Sequence, residues 1–447
     1  MHGFNSSRRC FISDHFKELI LNNYFWFIIY NGIVFPFIFF MALSASIFSS
    51  KIRESLKGRW HTRKKLKLFL NKEKENEDIY WFHAASLGEF YQIEPIIKGI
   101  KKIGKNKRII VSFSSPSGLN NAFSSAMDIK IYLPLDFPWS IQKILTFLRP
   151  KKIIFSSYDI WPNLLWSCKM KNIHLSIISA KIQRKSVKFA PIVKNFYKTI
   201  YNLFDTIYTI TEEDKRIFKE LIGSNYKPII SSKGNPRFDK IYNDFKLKKI
   251  IKNPISDKNP IILIGSSHPE DDLILFPALI NLLDAFSDLR VIHAPHQPSK
   301  KQNKSILKNY SNAGYESVIL NNLESIHTSS KKIIIVGGVG FLADLYWLST
   351  ISYIGGGFST GIHNIMEPAI ASNPVIFGPR HLKFNEAKQS ISFGGGFCIN
   401  DTISFENTMK RLLRSKSLLI KSSKASFKLI KKNIGASKEI INGILND

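Results

Sequence analysis

The sequence is poor in cysteine and poor in acids. Its 447 residues hold 3 cysteines, and Cys10, Cys168 and Cys398 lie far apart, with no CxxC pair. That excludes a disulfide scaffold and gives no zinc-ligand spacing. Acids number 34 against 64 lysines and arginines, a formal charge of +30. No self-similar short period is present, which argues against a solenoid. The GxGxxG spacing of a dinucleotide fingerprint is also missing. With 44% hydrophobic and 13% aromatic residues, whole-chain disorder is excluded, because this much apolar surface can offset the entropy of ordering.

Charge is itself absent from residues 19–50, between Glu18 and Lys51. The densest part starts at Tyr24-Phe-Trp-Phe and continues through Pro36-Phe-Ile-Phe-Phe-Met41. About 20 apolar residues suffice to cross a bilayer, so the run is long enough. Ala42-Leu-Ser-Ala45 resembles a signal-peptide cleavage site. Against cleavage stand Lys51, Arg53, Lys57, Arg59, Arg63, Lys64, Lys65 and Lys67, opposed only by Glu54. Positive charge directly after an apolar run stays on the cytoplasmic side. The expectation is an uncleaved anchor over residues 1–50 with the bulk of the chain inside. A helix lying in the membrane interface stays open.

From residue 78 the chain alternates short apolar runs with amphipathic segments, the pattern of parallel sheets covered by helices. Strands are expected at Ile79–His83, Arg108–Phe113, Lys130–Leu133, Lys152–Ser156, His174–Ile178 and Thr206–Thr209. Between them, helices are expected at Glu89–Lys102, Pro138–Leu148, Trp161–Lys171 and Glu212–Leu221. The stretch 241–259, rich in Lys, Asn, Asp and Pro, reads as a linker. A second alternating series begins at Ile261, with helices that include Gly340–Ser349 and Asn364–Ala371 and a lysine-rich helical tail. The fold class is therefore α/β, with two Rossmann-like doubly wound domains at 51–240 and 260–447. Ligands of such sheets sit beyond the carboxyl ends of the strands, and the cleft between two such domains is the expected site.

Two motifs stand out. Tyr353-Ile-Gly355-Gly356-Gly357-Phe-Ser-Thr-Gly361-Ile-His363-Asn364-Ile-Met-Glu367 runs from an apolar strand through a glycine-rich turn into a helix expected near His363–Asn364. Glycines let backbone approach a ligand, and a helix N-terminus offers free N–H groups to phosphate. Glu367 can accept from ribose hydroxyls. The competing reading is a tight turn with a helix-stabilising acid. In the other motif, His83-Ala-Ala-Ser86-Leu-Gly-Glu89, a carboxylate starts a helix at the edge of the first sheet. It is placed to act as a general base, or Ser86 and Glu89 form a capping box. Weaker candidates are Gly234-Asn-Pro-Arg237-Phe-Asp239, Ser112–Gly118, and Ala294-Pro-His296-Gln-Pro298. The spacing of His363 and Glu367 is not a metal site, and no metal or other cofactor is expected.

Taken in order, these segments resemble the 3-deoxy-D-manno-octulosonic acid (Kdo) transferases of lipopolysaccharide assembly, which are GT-B glycosyltransferases. The similarity includes Tyr132-Leu-Pro-Leu-Asp136, Trp161-Pro-Asn163, Ser179-Ala-Lys181 and Phe377-Gly-Pro-Arg-His-Leu-Lys-Phe-Asn-Glu386. The resemblance implies an inverting transfer of Kdo from CMP-Kdo to a sugar hydroxyl of the lipid A precursor, lipid IVA. It implies Glu89 as base and Arg237 as support for the leaving CMP. It also implies that Gly355, Gly356, Gly357, Gly361, His363, Asn364 and Glu367 belong to the nucleotide site. Where many members carry Glu-x-Glu before Trp-Pro-Asn, this chain has Ser157-Tyr-Asp159, so an acidic role passes to Asp159 or is lost. Where many carry Pro-Arg-His-Pro, it has Pro295-His296-Gln-Pro298, and His296 is the substitute at the phosphate. The implied setting is the inner membrane, with the domains in the cytoplasm and the basic flank on anionic lipid. A GT-B enzyme using a UDP-sugar is the alternative. Nucleic acid is not an expected partner, since no aromatic–basic platform or groove-reading helix is visible.

Overall fold

The structure is a computed structural model that describes residues 21–71, 77–104, 106–223, 226–248 and 259–446. The chain forms two compact units, one running to Lys240 and resuming at Gly435, the other Ile241–Ile434.

The first unit holds a sheet of 7 strands: β1 (Asp78–Ala84), β2 (Lys107–Phe113), β3 (Ile129–Tyr132), β4 (Lys152–Ser156), β5 (His174–Ala180), β6 (Thr206–Thr209) and β7 (Ile229–Ser232). All pairings are parallel, in the order β3-β2-β1-β4-β5-β6-β7. Alternate residues of β1 feed opposite faces. Ile79 and Trp81 join one core, while Tyr80 and Phe82 join another with Ile93 and Ile97 of the helix Leu87–Ile103. Burial on both faces explains why these strands read as unbroken apolar runs. The strand order reverses between β1 and β4, the switch point where such sheets place their sites.

The second unit repeats the plan. Its strands are β8 (Ile261–Ser267), β9 (Arg290–Pro295), β10 (Ser317–Leu320), β11 (Ile333–Val336), β12 (Ile351–Ile354), β13 (Val375–Phe377) and β14 (Gly396–Cys398). They pair in parallel as β10-β11-β9-β8-β12-β13-β14.

Several elements differ from the sequence expectation. The helix Arg237–Lys248 occupies the start of the expected linker, and residues 249–258 lie outside the described residues. The last helix, Ala436–Asn446, packs on the first unit, not the second. Ile440, Ile441 and Ile444 enter the core beside Ile93 and Tyr208, each such burial contributing about 1.5–3 kcal/mol. Asp239 anchors that helix by accepting the N–H groups of Gly435 and Ser437 at 2.6 and 2.7 Å. The helix expected over Gly340–Ser349 shrinks to Leu342–Leu345. Helices at Pro191–Tyr201 and Lys300–Asn312 and the strand β7 were not anticipated.

At the N-terminus one helix covers Leu21–Phe48, with a mean hydropathy of 2.0 and 11% of its most apolar window buried. Its length and exposure are compatible with membrane association. Ser49 caps the next helix, Ser50–Leu70. Of the basic residues expected to face headgroups, Arg59 does the opposite. It is buried, donates to the carbonyls of Leu133 and Ser114, and lies over the Trp161 ring at 4.8 Å.

Candidate functional site

In the first unit, loops from three neighbouring strands meet at the switch point. After β1 the chain turns through Ala85 and Ser86 into the helix that carries Glu89. Ser86 occupies the N-cap position without a side-chain capping bond. Glu89 instead accepts the N–H of Ala85, the residue before the N-cap, at 2.5 Å, so neither bond of a Ser86–Glu89 capping box is formed. Only 8% of Glu89 is exposed. Burial pushes its carboxyl up to about 7; the Ala85 N–H opposes this, and the charge of Asp159 adds to it. A carboxyl with a pKa near the working pH is suited to accept a proton in a reaction.

Asp159 comes after β4. A sharp turn at Ser157, whose φ of 63° is uncommon for a non-glycine residue, precedes it. Ser156 and Ser157 both donate to Gln92 Oε1, at 2.8 and 2.9 Å. Asp159 Oδ2 takes a hydrogen bond from Ser114 Oγ at 2.5 Å and lies 3.0 Å from His83 Nε2. The other His83 nitrogen meets Ser112 Oγ at 2.9 Å. Burial alone would raise Asp159, but His83 and Ser114 outweigh it and hold the carboxyl down near about 2. Two neighbouring carboxyls are thus driven apart, one ionised and one poised. Ser114 falls in the Ser112–Gly118 segment noted as a weaker candidate, while His83 was given no role of its own; its signal is a polar side chain at the end of an otherwise apolar strand.

Arg237 opens the helix Arg237–Lys248 after Gly234-Asn235-Pro236. Its backbone N–H donates to Asn235 Oδ1 at 3.1 Å, and its guanidinium makes no hydrogen bond or ion pair with the described residues.

In the second unit, β12 ends in the glycine turn. The helix after it is Met366–Ile370, only 5 residues, so it begins beyond His363–Asn364 and its few N–H groups make a weaker anion site than expected. Asn364 accepts the Met366 N–H at 3.1 Å. Two glycines are demanded by close packing. A Cβ on Gly355 would meet the Ser266 carbonyl oxygen at 2.0 Å, and one on Gly357 would meet the Gly378 nitrogen at 2.4 Å. Gly356 and Gly361 take positive φ, 86° and 122°. The turn is held by Asp271, fully buried, which sequence reasoning missed. It accepts from Tyr353 Oη at 2.8 Å and from the N–H groups of Gly356 and His268 at 2.6 and 2.9 Å. Glu367 is half-buried in the short helix.

The structure also gathers three imidazoles from separate loops. His268 comes after β8, His296 after β9, and His363 closes the glycine turn. Their candidate ligand atoms lie within 4.8 Å of one another. His268 Nε2 and His363 Nε2 are 2.9 Å apart, a hydrogen-bond distance. The rings stack, with centroids 4.3 to 5.2 Å apart and planes within 12–26° of parallel. A tetrahedral zinc would hold its nitrogens about 3.3 Å apart with the rings splayed, so this is the geometry of a hydrogen-bonded imidazole stack. Burial, then the neighbouring histidines, lowers His363 to about 4; burial and His268 lower His296 too. His363 is therefore neutral at neutral pH, and a neutral imidazole has an N–H to offer an anion.

Two parallel seven-stranded units, each with polar groups at its switch point, define a GT-B-like α/β fold. Solved structures agree on the fold. A UDP-GlcNAc 2-epimerase from Neisseria meningitidis matches with a TM-score of 0.58 at 15% identity, over 83% of this chain and 100% of that one. A glycosyltransferase from Rickettsia africae gives 0.55 at 15% identity, over 83% and 100%. Residues 58–240 match the family model described as 3-deoxy-D-manno-octulosonic-acid transferase. Curated Kdo transferases align along most of the chain. The one from Rickettsia prowazekii is 29% identical over 76% of this chain and 73% of its own length. The Haemophilus influenzae protein is 25% identical over 81% and 85%. The Aquifex aeolicus protein is 28% identical over 78% and 91%. Over residues 58–240 the chain carries the domain of the Kdo transferase family. It is a glycosyltransferase of lipopolysaccharide synthesis that moves Kdo to a lipid acceptor.

Proposed function

We propose that the donor is CMP-Kdo, that the acceptor is a sugar hydroxyl of the lipid A precursor lipid IVA, and that transfer inverts the anomeric centre. The observation that carries the reading is Glu89, a buried carboxyl poised near about 7 at the carboxyl end of β1. The acceptor oxygen attacks the anomeric carbon as the bond from that carbon to the CMP phosphate breaks. Glu89 takes the hydroxyl proton, and CMP leaves with the bonding pair as an anion. A departing anion needs cationic or N–H support, and Arg237, with no charge partner of its own among the described residues, is suited to give it. Asp159 is not: a carboxylate repels that anion. Its part is to hold His83 and Ser114 and, by its charge, to keep Glu89 basic enough to work.

Donor binding falls to the second unit, which serves as the CMP-Kdo domain, while the first serves the acceptor. His296 and His363 face the phosphate with N–H groups, Asn364 and Glu367 address the nucleoside, and Gly355, Gly356, Gly357 and Gly361 shape the turn. An anion arriving at neutral imidazoles favours their protonation, so donor binding takes up protons. The enzyme works at the inner membrane with its body in the cytoplasm, and the exposed lysines and arginines after Ser50 meet anionic headgroups, each contributing about 1 kcal/mol.

The test is mass analysis of the lipid after incubation with CMP-Kdo and lipid IVA. Kdo-extended product, with CMP released only when both substrates are present, is the expected result. Absence of product, or tighter binding of UDP than of CMP, overturns the donor assignment and favours a UDP-sugar enzyme.

A further inference from the structure

We propose that the apolar helix Leu21–Phe48 does not cross the bilayer but lies in one leaflet, fixed along the first unit and sharing a lipid-facing surface with it. Length alone allows a span, since 28 residues exceed the requirement. The contacts of the helix do not.

One face of the helix is docked from Asn23 to Phe39, about 24 Å at 1.5 Å per residue. Asn23 Oδ1 accepts from Trp166 Nε1 at 3.1 Å, and Phe27 stands edge-on to the same indole at 5.3 Å. Trp26 meets Phe196 at 5.3 Å. Phe35 and Phe39 both pack on Phe137, at 5.0 and 5.3 Å. A π-helical turn over Tyr30–Val34 brings residues five apart onto one side, so Tyr30 and Phe35 face the domain together.

The centre of this face is polar. Tyr30 Oη donates to Asp136 Oδ2 at 3.0 Å, and Asn31 and Asn163 exchange side-chain hydrogen bonds at 2.9 and 2.8 Å. Asp136 is fully buried and also accepts the N–H groups of Asn163 and Leu164 at 3.0 and 3.1 Å, the start of the helix Pro162–Met170. If Leu21–Phe48 stood upright in the bilayer as docked, that helix N-terminus and the edge of a water-soluble sheet would sit in hydrocarbon, where polar groups and irregular backbone are not tolerated. If it stood upright undocked, Tyr30, Asn31, Asp136 and Asn163 would lose one another. Only Phe40–Phe48 is left free of the docked face, about 14 Å of helix, roughly half the hydrocarbon thickness.

The opposite face suits a leaflet. Phe25, Ile28, Ile33, Phe37 and Phe40 are all more than half exposed. The surface continues onto the domain itself: Trp139, 60% exposed, stacks on Phe137, and Ile192, 75% exposed, lies one turn before Phe196. Lys51, Arg53 and Lys57 stand just past the helix end, exposed, with the charge to meet anionic headgroups. Arg53 also closes the end of the apolar helix, donating to the carbonyls of Ser46 and Ile47 at 3.0 and 2.9 Å.

The inference extends the anchor part of the proposed function and is independent of the donor. Its test therefore uses topology, not transfer. Single cysteines are introduced as Ser13→Cys or Ser50→Cys into the full chain with Cys10→Ser, Cys168→Ala and Cys398→Ser, reconstituted in phosphatidylethanolamine–phosphatidylglycerol vesicles. A membrane-impermeant maleimide is then applied before and after detergent. A one-leaflet helix keeps both sites on the same side, so the two labelled fractions are equal in intact vesicles. Complementary fractions, with the Ser13 site protected wherever the Ser50 site is labelled, overturn the proposal. A second measurement covers the docking. In the same vesicles an Asn31→Cys, Asn163→Cys pair cross-links on mild oxidation if the docked face persists, and stays reduced if the helix leaves the domain to span. A lipid-free soluble dimer that hides the apolar face also overturns the proposal, by assigning that face to a second copy.

Discussion

The two switch-point sites of this molecule are built from opposite materials. In the first unit, two carboxyls that feel each other's charge are separated in acidity, Asp159 held at about 2 and Glu89 raised to about 7. In the second, imidazoles are stacked and pushed down, His363 to about 4. One site carries a base that must lose its proton to act. The other carries neutral groups that gain affinity for an anion by taking protons up. Their pH demands run in opposite directions, and a transfer reaction that needs both is confined to a window between them.

The largest predicted effect breaks the first site. Glu89→Gln keeps the Ala85 contact and the volume but removes the base, so transfer falls by about 10²–10⁴-fold with CMP binding unchanged. The same change sharpens the comparison through stability. Glu89 has a folded pKa of about 7 against an ordinary 4.5. A carboxyl raised in this way binds its proton more tightly in the folded state, so the wild type loses stability as pH rises from about 4.5 to about 7 and then levels off. Glu89→Gln should therefore raise the melting temperature at pH 8, by on the order of 2 kcal/mol in stability, and change it little at pH 4.5. A lower melting temperature at pH 8 would mean that Glu89 supports the fold.

The second site is broken by Asp271→Ala. The buried acceptor of four N–H or O–H groups, from Tyr353, Gly356, Phe358 and His268, is lost, at a cost of about 3–5 kcal/mol, read as a fall in melting temperature. A smaller effect is expected from His363→Ala, about 10–100-fold weaker CMP binding with the fold intact by circular dichroism. CMP affinity of the wild type should fall as pH rises above about 4, where free His363 loses its proton, opposite in sign to the rise in single-turnover rate through pH 7. Smallest is Asp159→Asn. With the charge gone and the contacts kept, the Glu89 pKa drops, and the acid limb of the rate profile moves down by less than about one unit, since burial is the larger cause.

How much of this was visible in the sequence depended on distance along the chain. The strands announced themselves because both faces are buried, and Glu89 did because it sits at the start of a helix directly after a strand. Lys300–Asn312 is faint in the sequence because its apolar residues are few, Ile306, Leu307 and Tyr310, whereas Pro191–Tyr201 carries a clear apolar stripe, Ile192, Val193, Phe196, Tyr197 and Ile200, that the strand–helix reading passed over. The short helix Met366–Ile370 was placed too early; the turn before it is longer than the glycine count suggested, and Pro368 keeps the helix itself short. His268, His296 and His363 come from three loops, so no window of sequence contains the stack. The last helix was assigned to the wrong unit for the same reason, since its partners Asp239 and Ile93 are remote in sequence.

The charge also divides differently in the folded chain. Arg59 is a structural cation turned inward, while its neighbours Lys57, Arg63 and Lys64 are exposed. Charge density alone did not distinguish them.

The most direct test of the account is the pH dependence of single-turnover Kdo transfer from CMP-Kdo to lipid IVA by wild type and Glu89→Gln. The prediction is a wild-type rate that rises with a midpoint near pH 7 and a variant that is at least about 10²-fold slower with no such rise. A variant that transfers at the wild-type rate, or one that keeps the same midpoint, would contradict Glu89 as the base.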